Sequence, residues 1–216
     1  MSEQNKQPTV SQEERQLPEF NAMQAVKRRF FAMRNGDLAA QMAERGARYR
    51  INFGLNLPQI KEIARDFLPG GAEAERFPSD FDRADFARRL RDNVTTRESR
   101  LIAPMLFPVE QLTDDEALAW ARSVDVAEVA DILCFSLLRN FAGAAGIAEV
   151  LSSPEATDME RYTGLRLSLN LLMLNRLEPA VALQRSEAEQ KRGCALTASV
   201  CRQLNEEAAF RAETDF

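Results

Sequence analysis

Apolar side chains recur every three or four positions along most of the chain, the spacing typical of amphipathic helices. Between residues 20 and 33 they predict a first helix that stops near Asn35-Gly36, and a second is predicted from Asp37 toward Tyr49. A third helix carries Pro58 in its first turn and ends at Pro69-Gly70-Gly71. Four later starts are indicated by Ser79, by Thr113 with Glu116, by Ser153-Pro154 and by Ser186 with Glu189.

Residues 165–171 alternate between leucine and polar residues, as a half-buried strand would. However, every apolar member is leucine, a good helix former, and Leu172, Met173 and Leu174 break the alternation at once. Because no other segment offers a partner strand, we predict a helix that is buried on most sides.

About ten helices are predicted after a polar N-terminal segment, at roughly 40 residues for each pair, which is the period of HEAT-type repeats. The predicted fold class is therefore all-α, with antiparallel helix pairs of the HEAT or armadillo type. Residues 1–18 contain few large apolar groups and are predicted to be a flexible tail. Residues 19–216 are predicted to be a single helical repeat domain.

Composition narrows the possible chemistry. The chain has no histidine, which removes the commonest general base and metal ligand. It has no Gly-rich phosphate loop and no cluster with metal-ligand spacing, so we expect neither a cofactor nor a metal. Three cysteines are too few for a disulfide framework and fit a reducing cytoplasm. The polar N-terminus and the absence of a long apolar run predict a cytoplasmic protein without a membrane anchor.

The net charge of −5 is unevenly distributed. Residues 26–66 contain nine basic and four acidic side chains, whereas residues 110–160 contain eleven acidic side chains against Arg122 and Arg139. A basic front suits contacts with a polyanion, although solvated faces of amphipathic helices would give the same composition.

Two stretches carry a resemblance to a known family. The first runs from Arg29-Phe30-Phe31 through Asn52-Phe53-Gly54 to Ile63-Ala64, and the second is the run 97–104, RESRLIAP. In order and spacing they resemble the opening repeats of the AlkD-like DNA alkylation repair family. The similarity covers roughly residues 20–140. It implies a right-handed α-α superhelix whose concave face holds double-stranded DNA.

The residues that carry the resemblance have architectural explanations of their own. Gly54 suits a tight turn between helices, and Pro58 suits a helix start. Arg97 and Glu98 are expected to tie adjacent helices together. These positions therefore predict the fold and not the chemistry.

The resemblance also implies a catalytic residue. In glycosylases of the family, a Trp and an Asp four residues later share one helix face in the groove. The Asp stabilises positive charge at the sugar of an alkylated nucleoside and helps to position water. Asp131 falls at the position of that Asp, but Ala127 stands where the Trp would be. A second groove Trp is also missing, and the only Trp of this chain, Trp120, is expected to be a packing residue.

Candidate contacts to DNA come from basic residues. Lys27, Arg28, Arg48 and Arg50 belong to the basic front and are predicted to contact phosphates. Arg161 and Arg166 lie near the position where the resemblance implies a phosphate-contacting Arg.

Three hypotheses remain open from the sequence. The chain is a divergent DNA glycosylase that uses Asp131, or a non-catalytic scaffold of the same fold that binds nucleic acid by backbone and shape, or a protein-binding helical scaffold. They differ in where the basic side chains point. Basic residues on the concave face favour DNA, and outward-pointing ones favour a protein partner.

Overall fold

The computed structural model describes residues 21–45, 49–78 and 81–214, whose regular secondary structure is helical. Their only extended pairing is an isolated bridge between Ile51 and Thr96. The prediction of an all-α protein is confirmed for this part of the chain, while the predicted tail, residues 1–18, lies outside it. The described residues form eleven α-helices: α1 (Ala22–Ala32), α2 (Gly36–Glu44), α3 (Leu57–Phe67), α4 (Arg83–Arg91), α5 (Arg97–Leu106), α6 (Asp114–Arg122), α7 (Ala127–Ser136), α8 (Ala144–Leu151), α9 (Asp158–Met173), α10 (Pro179–Gln190) and α11 (Ala198–Thr214).

Alternate helices contact one another in series, from α3 to α5, α7, α9 and α11. The even-numbered helices α4, α6, α8 and α10 each pack on the odd-numbered helix that follows. The apolar core lies between these helices and includes Phe30, Trp120 and Leu133, each at most 2% exposed. Burying a side chain of this size contributes about 1.5–3 kcal/mol, so the contacts between neighbouring helices hold the array together.

Several helices begin at polar caps that the sequence shows. Asn56 caps α3 in a reciprocal box with Gln59, one residue before Leu57-Pro58. The predicted cap Thr113 is confirmed, since its hydroxyl accepts from the amide of Glu116 at 3.3 Å. The carboxylate of Glu116 does not complete a box. It binds Arg88 of α4 instead and so links two helices.

Other predicted starts are wrong. The helix expected at Ser153-Pro154 begins at Asp158, because Thr157 and Glu160 form the capping box there. Ser186 lies inside α10, where its buried hydroxyl donates to the carbonyl of Cys201. Ser186 and Glu189 have the three-residue spacing of a capping box, but they lie within α10, which begins at Pro179.

Two further boundaries differ from the prediction. The helix expected from Ser79 begins at Arg83 with Asp82 as its cap, and Ser79 lies outside the described residues. The second helix ends at Glu44, before the expected Tyr49.

The helix predicted over residues 165–171 is confirmed as part of α9. Leu167 and Ser168 are both fully buried although they are neighbours in sequence. Ser168 satisfies its hydroxyl within the helix by donating to the carbonyl of Gly164 at 2.8 Å. Burial on both sides is possible because α9 packs against α7, α8, α10 and α11.

Gly54 lies in the segment that connects α2 to α3, and its backbone conformation and close packing account for the glycine. Its φ of 69° lies in the left-handed region, and a Cβ at this position would collide with the backbone oxygen of Asn35. The amide of Asn35 donates to the carbonyl of Phe53 at 2.8 Å, so the turn is fastened to the start of α2.

In the described part of the chain, no helix combines the length and apolar character that crossing a bilayer requires.

Candidate functional site

The exposed side of α7 carries polar and aromatic side chains in a row. Asp131 and Phe135 lie four residues apart, one turn along the same face, and Arg139 lies in the short 3-10 turn Leu138–Asn140 that follows α7. The side chain of Asp131 is 41% exposed and Phe135 is 43% exposed. Ala127, one turn before Asp131, packs partly against the core.

Asp131 is held by two side chains from α9. Its Oδ1 lies 2.7 Å from Nε of Arg166 and accepts a hydrogen bond from the hydroxyl of Tyr162 at 2.9 Å. Arg166 donates to the Tyr162 hydroxyl at 3.2 Å and to Oε1 of Gln203, on α11, at 2.9 Å. We call Asp131, Tyr162 and Arg166 the Asp131 cluster.

The electrostatics of the Asp131 cluster keep its donors protonated. Burial raises the pKa of Tyr162, and the charge of Asp131 adds to that effect. Burial alone would lower the pKa of Arg166, but its contacts with Tyr162 and Asp131 outweigh that effect and raise it. Tyr162 is therefore a neutral hydrogen-bond donor at neutral pH, and Arg166 is a cation.

The second oxygen of Asp131 remains open. Oδ1 takes both contacts, while Oδ2 receives no hydrogen bond from the residues that the structure describes. A carboxylate that is fixed through one oxygen and open at the other can face a developing positive charge or orient a water molecule.

Phe135 adds an aromatic surface beside this carboxylate. The guanidinium of Arg139 lies 3.5 Å from the centre of its ring, and Nζ of Lys61, on α3, lies 5.5 Å from it. Phe135 was not predicted, because the family resemblance implies an aromatic residue four positions before Asp131 and not after it. The same one-turn spacing on the other side of Asp131 was the signal that could have found it.

A second arginine–carboxylate network lies deeper, at the start of α5. Arg97 binds both carboxylate oxygens of Glu128 and donates to the carbonyl of Leu55 at 2.9 Å. Glu98, fully buried, accepts from the amides of Phe53 and Leu55. As expected, Arg97 ties two helices together, α5 and α7, whereas Glu98 ties α5 to the loop before α3. We call Arg97 and Glu98 with these partners the Glu98 network.

Lys27 and Arg28 are exposed on α1 and line a pocket of about 450 Å³ with Phe31, Ile51, Phe53 and Thr96. Arg50, also exposed, directly precedes Ile51. Three of the predicted phosphate contacts therefore belong to one region, at the loop that leads into α3. Arg48 lies outside the described residues.

Arg161 and Arg166, five residues apart on α9, face different neighbours. Arg166 belongs to the Asp131 cluster, whereas Arg161 is 9% exposed and binds the carbonyl of Ala156 together with Asp158 and Glu189. Because its guanidinium is engaged by interior groups, Arg161 would have to break these contacts to reach a phosphate. Trp120, expected to be a packing residue, is 2% exposed and meets Phe107 edge-on at 5.5 Å.

Comparisons with protein-family models, with curated proteins and with solved structures give no match for this chain. Among the described residues, no group of three or more potential ligands could hold a metal ion. The case for a function therefore comes from the Asp131 cluster and its surroundings.

Proposed function

We propose that the chain is a divergent AlkD-like helical repeat protein that binds duplex DNA and excises alkylated purines with Asp131. The observation that carries this proposal is the half-exposed carboxylate of Asp131, which Tyr162 and Arg166 hold through one oxygen only. The series of contacts from α3 to α11 supports a repeated array of helices, and the right-handed superhelix is the arrangement that the sequence resemblance implies for it.

In the proposed reaction, the bond between C1′ of the sugar and the alkylated purine breaks, and its electron pair leaves with the base. The base is already cationic before the reaction, so it departs as a neutral molecule without an acid catalyst. The open oxygen of Asp131 stabilises the positive charge that develops on the sugar and orients the attacking water. Water adds its oxygen to C1′ and releases one proton, which leaves an abasic site.

Phe135 would supply the aromatic contact in this scheme. An exposed ring one turn from Asp131 can pack against a nucleobase, and such stacking contributes about 1–3 kcal/mol per base. Arg139 and Lys61, which flank the ring, would meet the negative charge of the DNA backbone.

The acidic character of this region is less of an obstacle than its composition suggests. Glu128 is paired with Arg97, and Asp125 with Arg100, so both carboxylates have an arginine partner. Lys27, Arg28 and Arg50, which lie around the loop before α3, would add further phosphate contacts. Binding should therefore weaken as salt rises, with a slope that follows the number of phosphates contacted.

The test is a single-turnover excision assay on duplex DNA that carries N3- or N7-methylated purines. We expect the wild type to release the base and Asp131→Asn to release it at a rate that is lower by a factor of about 100 or more. Asp92→Asn is the matched control, since Asp92 is an exposed carboxylate paired with a neighbouring arginine on α4. If the wild type releases no base, the glycosylase proposal fails for these substrates. If Asp131→Asn retains the full rate, another group performs the reaction.

A second candidate function, a protein-binding scaffold, is favoured by the pocket on α1. Phe31 is 56% exposed and Ile51 is 42% exposed there, beside Lys27 and Arg28, so the surface suits an apolar segment with acidic flanks. A DNA titration at two salt concentrations separates the two functions. Absence of binding to duplex DNA at low salt would favour the scaffold.

A further inference from the structure

A pocket of about 440 Å³ lies between α8, α9 and α10. It is distinct from the Asp131 cluster, whose members on α9 face α7 and α11. Three arginines line it, namely Arg161, Arg185 and Arg192, together with Glu149 and Glu189. A pocket of this volume lies within the range of small-molecule sites.

Arg161 and Glu189 largely satisfy each other. Oε2 of Glu189 lies 2.9 Å from Nε of Arg161, and Oε1 accepts from the hydroxyl of Thr197 at 2.9 Å. Glu189 is 3% exposed, so this pair is an interior contact. The positive charge that remains in the pocket therefore comes from Arg185 and Arg192.

Arg185 has less compensation than any other lining arginine. Its one hydrogen bond to a described residue goes to the neutral hydroxyl of Ser168, at 2.9 Å, and no described carboxylate forms an ion pair with it. Burial lowers the pKa of Arg185, and the charge of Glu149 only partly offsets this. Because a guanidinium carries five N–H donors, most of its hydrogen-bonding capacity is left for a ligand.

Arg192 stands at the edge of the same pocket. Its NH1 donates to the carbonyl of Pro154 at 3.2 Å, and its Nε lies 3.7 Å from Glu189, which is a long ion pair. Arg185 and Arg192 are seven residues apart, which is about two helical turns. Arg185 lies on α10 and Arg192 just after its end, so both line the same side of the pocket.

We propose that this pocket binds a small molecule that carries a phosphate group, with Arg185 as the principal donor and Arg192 as the second. The planar fork of a guanidinium matches two oxygens of a phosphate at once. Apart from Glu189, which is paired with Arg161, the only described carboxylate that lines the pocket is the exposed Glu149. Arg185 and Arg192 therefore outnumber the remaining negative charge. This site is independent of DNA binding and of Asp131.

Isothermal titration calorimetry with inorganic phosphate, and then with glycerol 3-phosphate, tests the proposal at constant ionic strength. We expect the wild type to bind both and Arg185→Gln to bind about tenfold more weakly or worse. Arg89→Gln, an exposed position on α4, is the matched control and should bind like the wild type. Absence of phosphate binding by the wild type, or equal affinity in Arg185→Gln, would overturn the proposal.

Thermal unfolding separates a binding role from a structural one. Arg185→Gln removes a half-buried charge that has no carboxylate partner, so without phosphate its Tm should equal or exceed that of the wild type. A lowered Tm would make Arg185 a structural residue and contradict the proposal. Arg192→Gln gives a second reading because Arg192 is exposed, and it should bind phosphate about threefold more weakly or worse.

Discussion

The Glu98 network and the Asp131 cluster contain the same chemistry in different surroundings. Each joins an arginine to a carboxylate across neighbouring elements. In the first, the side chain of Glu98 is fully buried and that of Arg97 is 4% exposed. In the second, Asp131 is 41% exposed, although its partner Arg166 is only 19% exposed.

Burial and the choice of partners separate architecture from chemistry here. Glu98 accepts hydrogen bonds from backbone amides of the loop before α3, and Arg97 donates one to a backbone carbonyl of that loop. Both side chains therefore hold the loop in place. Asp131 contacts only side chains and keeps one oxygen open. A buried pair is costly to break, whereas a half-exposed carboxylate can be changed at little cost to folding.

The largest expected effect is on folding stability. Arg97→Ala would leave Glu98 buried without its cation, and we expect it to lower the free energy of unfolding by about 3–5 kcal/mol. Asp131→Asn should lower it by less than about 1 kcal/mol, since that carboxylate is half exposed. Urea denaturation of both variants measures the difference. Similar losses of unfolding free energy in the two variants would contradict the proposed difference between the Glu98 network and the Asp131 cluster.

The next effect concerns binding at the Asp131 cluster. Phe135→Ala should weaken binding to a methylated duplex by about 1–3 kcal/mol, because a stacking surface is lost. Phe135→Tyr should retain it. Fluorescence anisotropy measures the affinities, and Val150→Ala, an exposed apolar position on α8, serves as the control. If Phe135→Ala binds the methylated duplex as tightly as the wild type, Phe135 does not stack on a base in the proposed site.

The smallest effect is a pH dependence next to the Glu98 network. Burial, followed by the charge of Asp125, raises the pKa of Tyr49 from 10.0 to about 12. The folded state therefore favours the protonated phenol. This contribution is fully present below pH 10.0 and is lost as the pH rises through about 12.

Tyr49→Phe isolates that contribution. Between these pH values the wild type should lose more stability than the variant, as judged by the urea midpoint at each pH. Parallel curves for the two proteins would contradict the raised pKa. The buried hydroxyl of Tyr49 has no hydrogen-bond partner among the described residues, so at neutral pH the variant should be at least as stable as the wild type.

Some local signals predicted local structure correctly, although three of the predicted helix starts were wrong. Pro58 predicted the first turn of α3, and the leucines of residues 165–171 predicted a helix despite their alternation. Gly54 indicated a position where few other residues tolerate the backbone conformation. Each of these outcomes depends on a few neighbouring residues, so the sequence contained the necessary information.

Which neighbour a helix face meets could not be predicted in the same way. Arg161 and Arg166 have the same chemistry on one helix, and only the packing of α10 and α7 separates an interior role from a place beside Asp131. Ser186 has the spacing of a helix cap, but tertiary contacts bury it against Cys201. Phe135 is 43% exposed beside Lys61 of α3, a placement that the sequence of α7 alone does not reveal.

The carboxylate of Glu98 has a consequence for the motion of the loop before α3. The amides of Phe53 and Leu55 lie outside any helix, and amides in such loops ordinarily exchange rapidly with solvent deuterium. Here each is bound to a buried charge, so exchange requires the start of α5 to open. Deuterium uptake at these two amides would therefore report the opening of the interior from within an irregular segment.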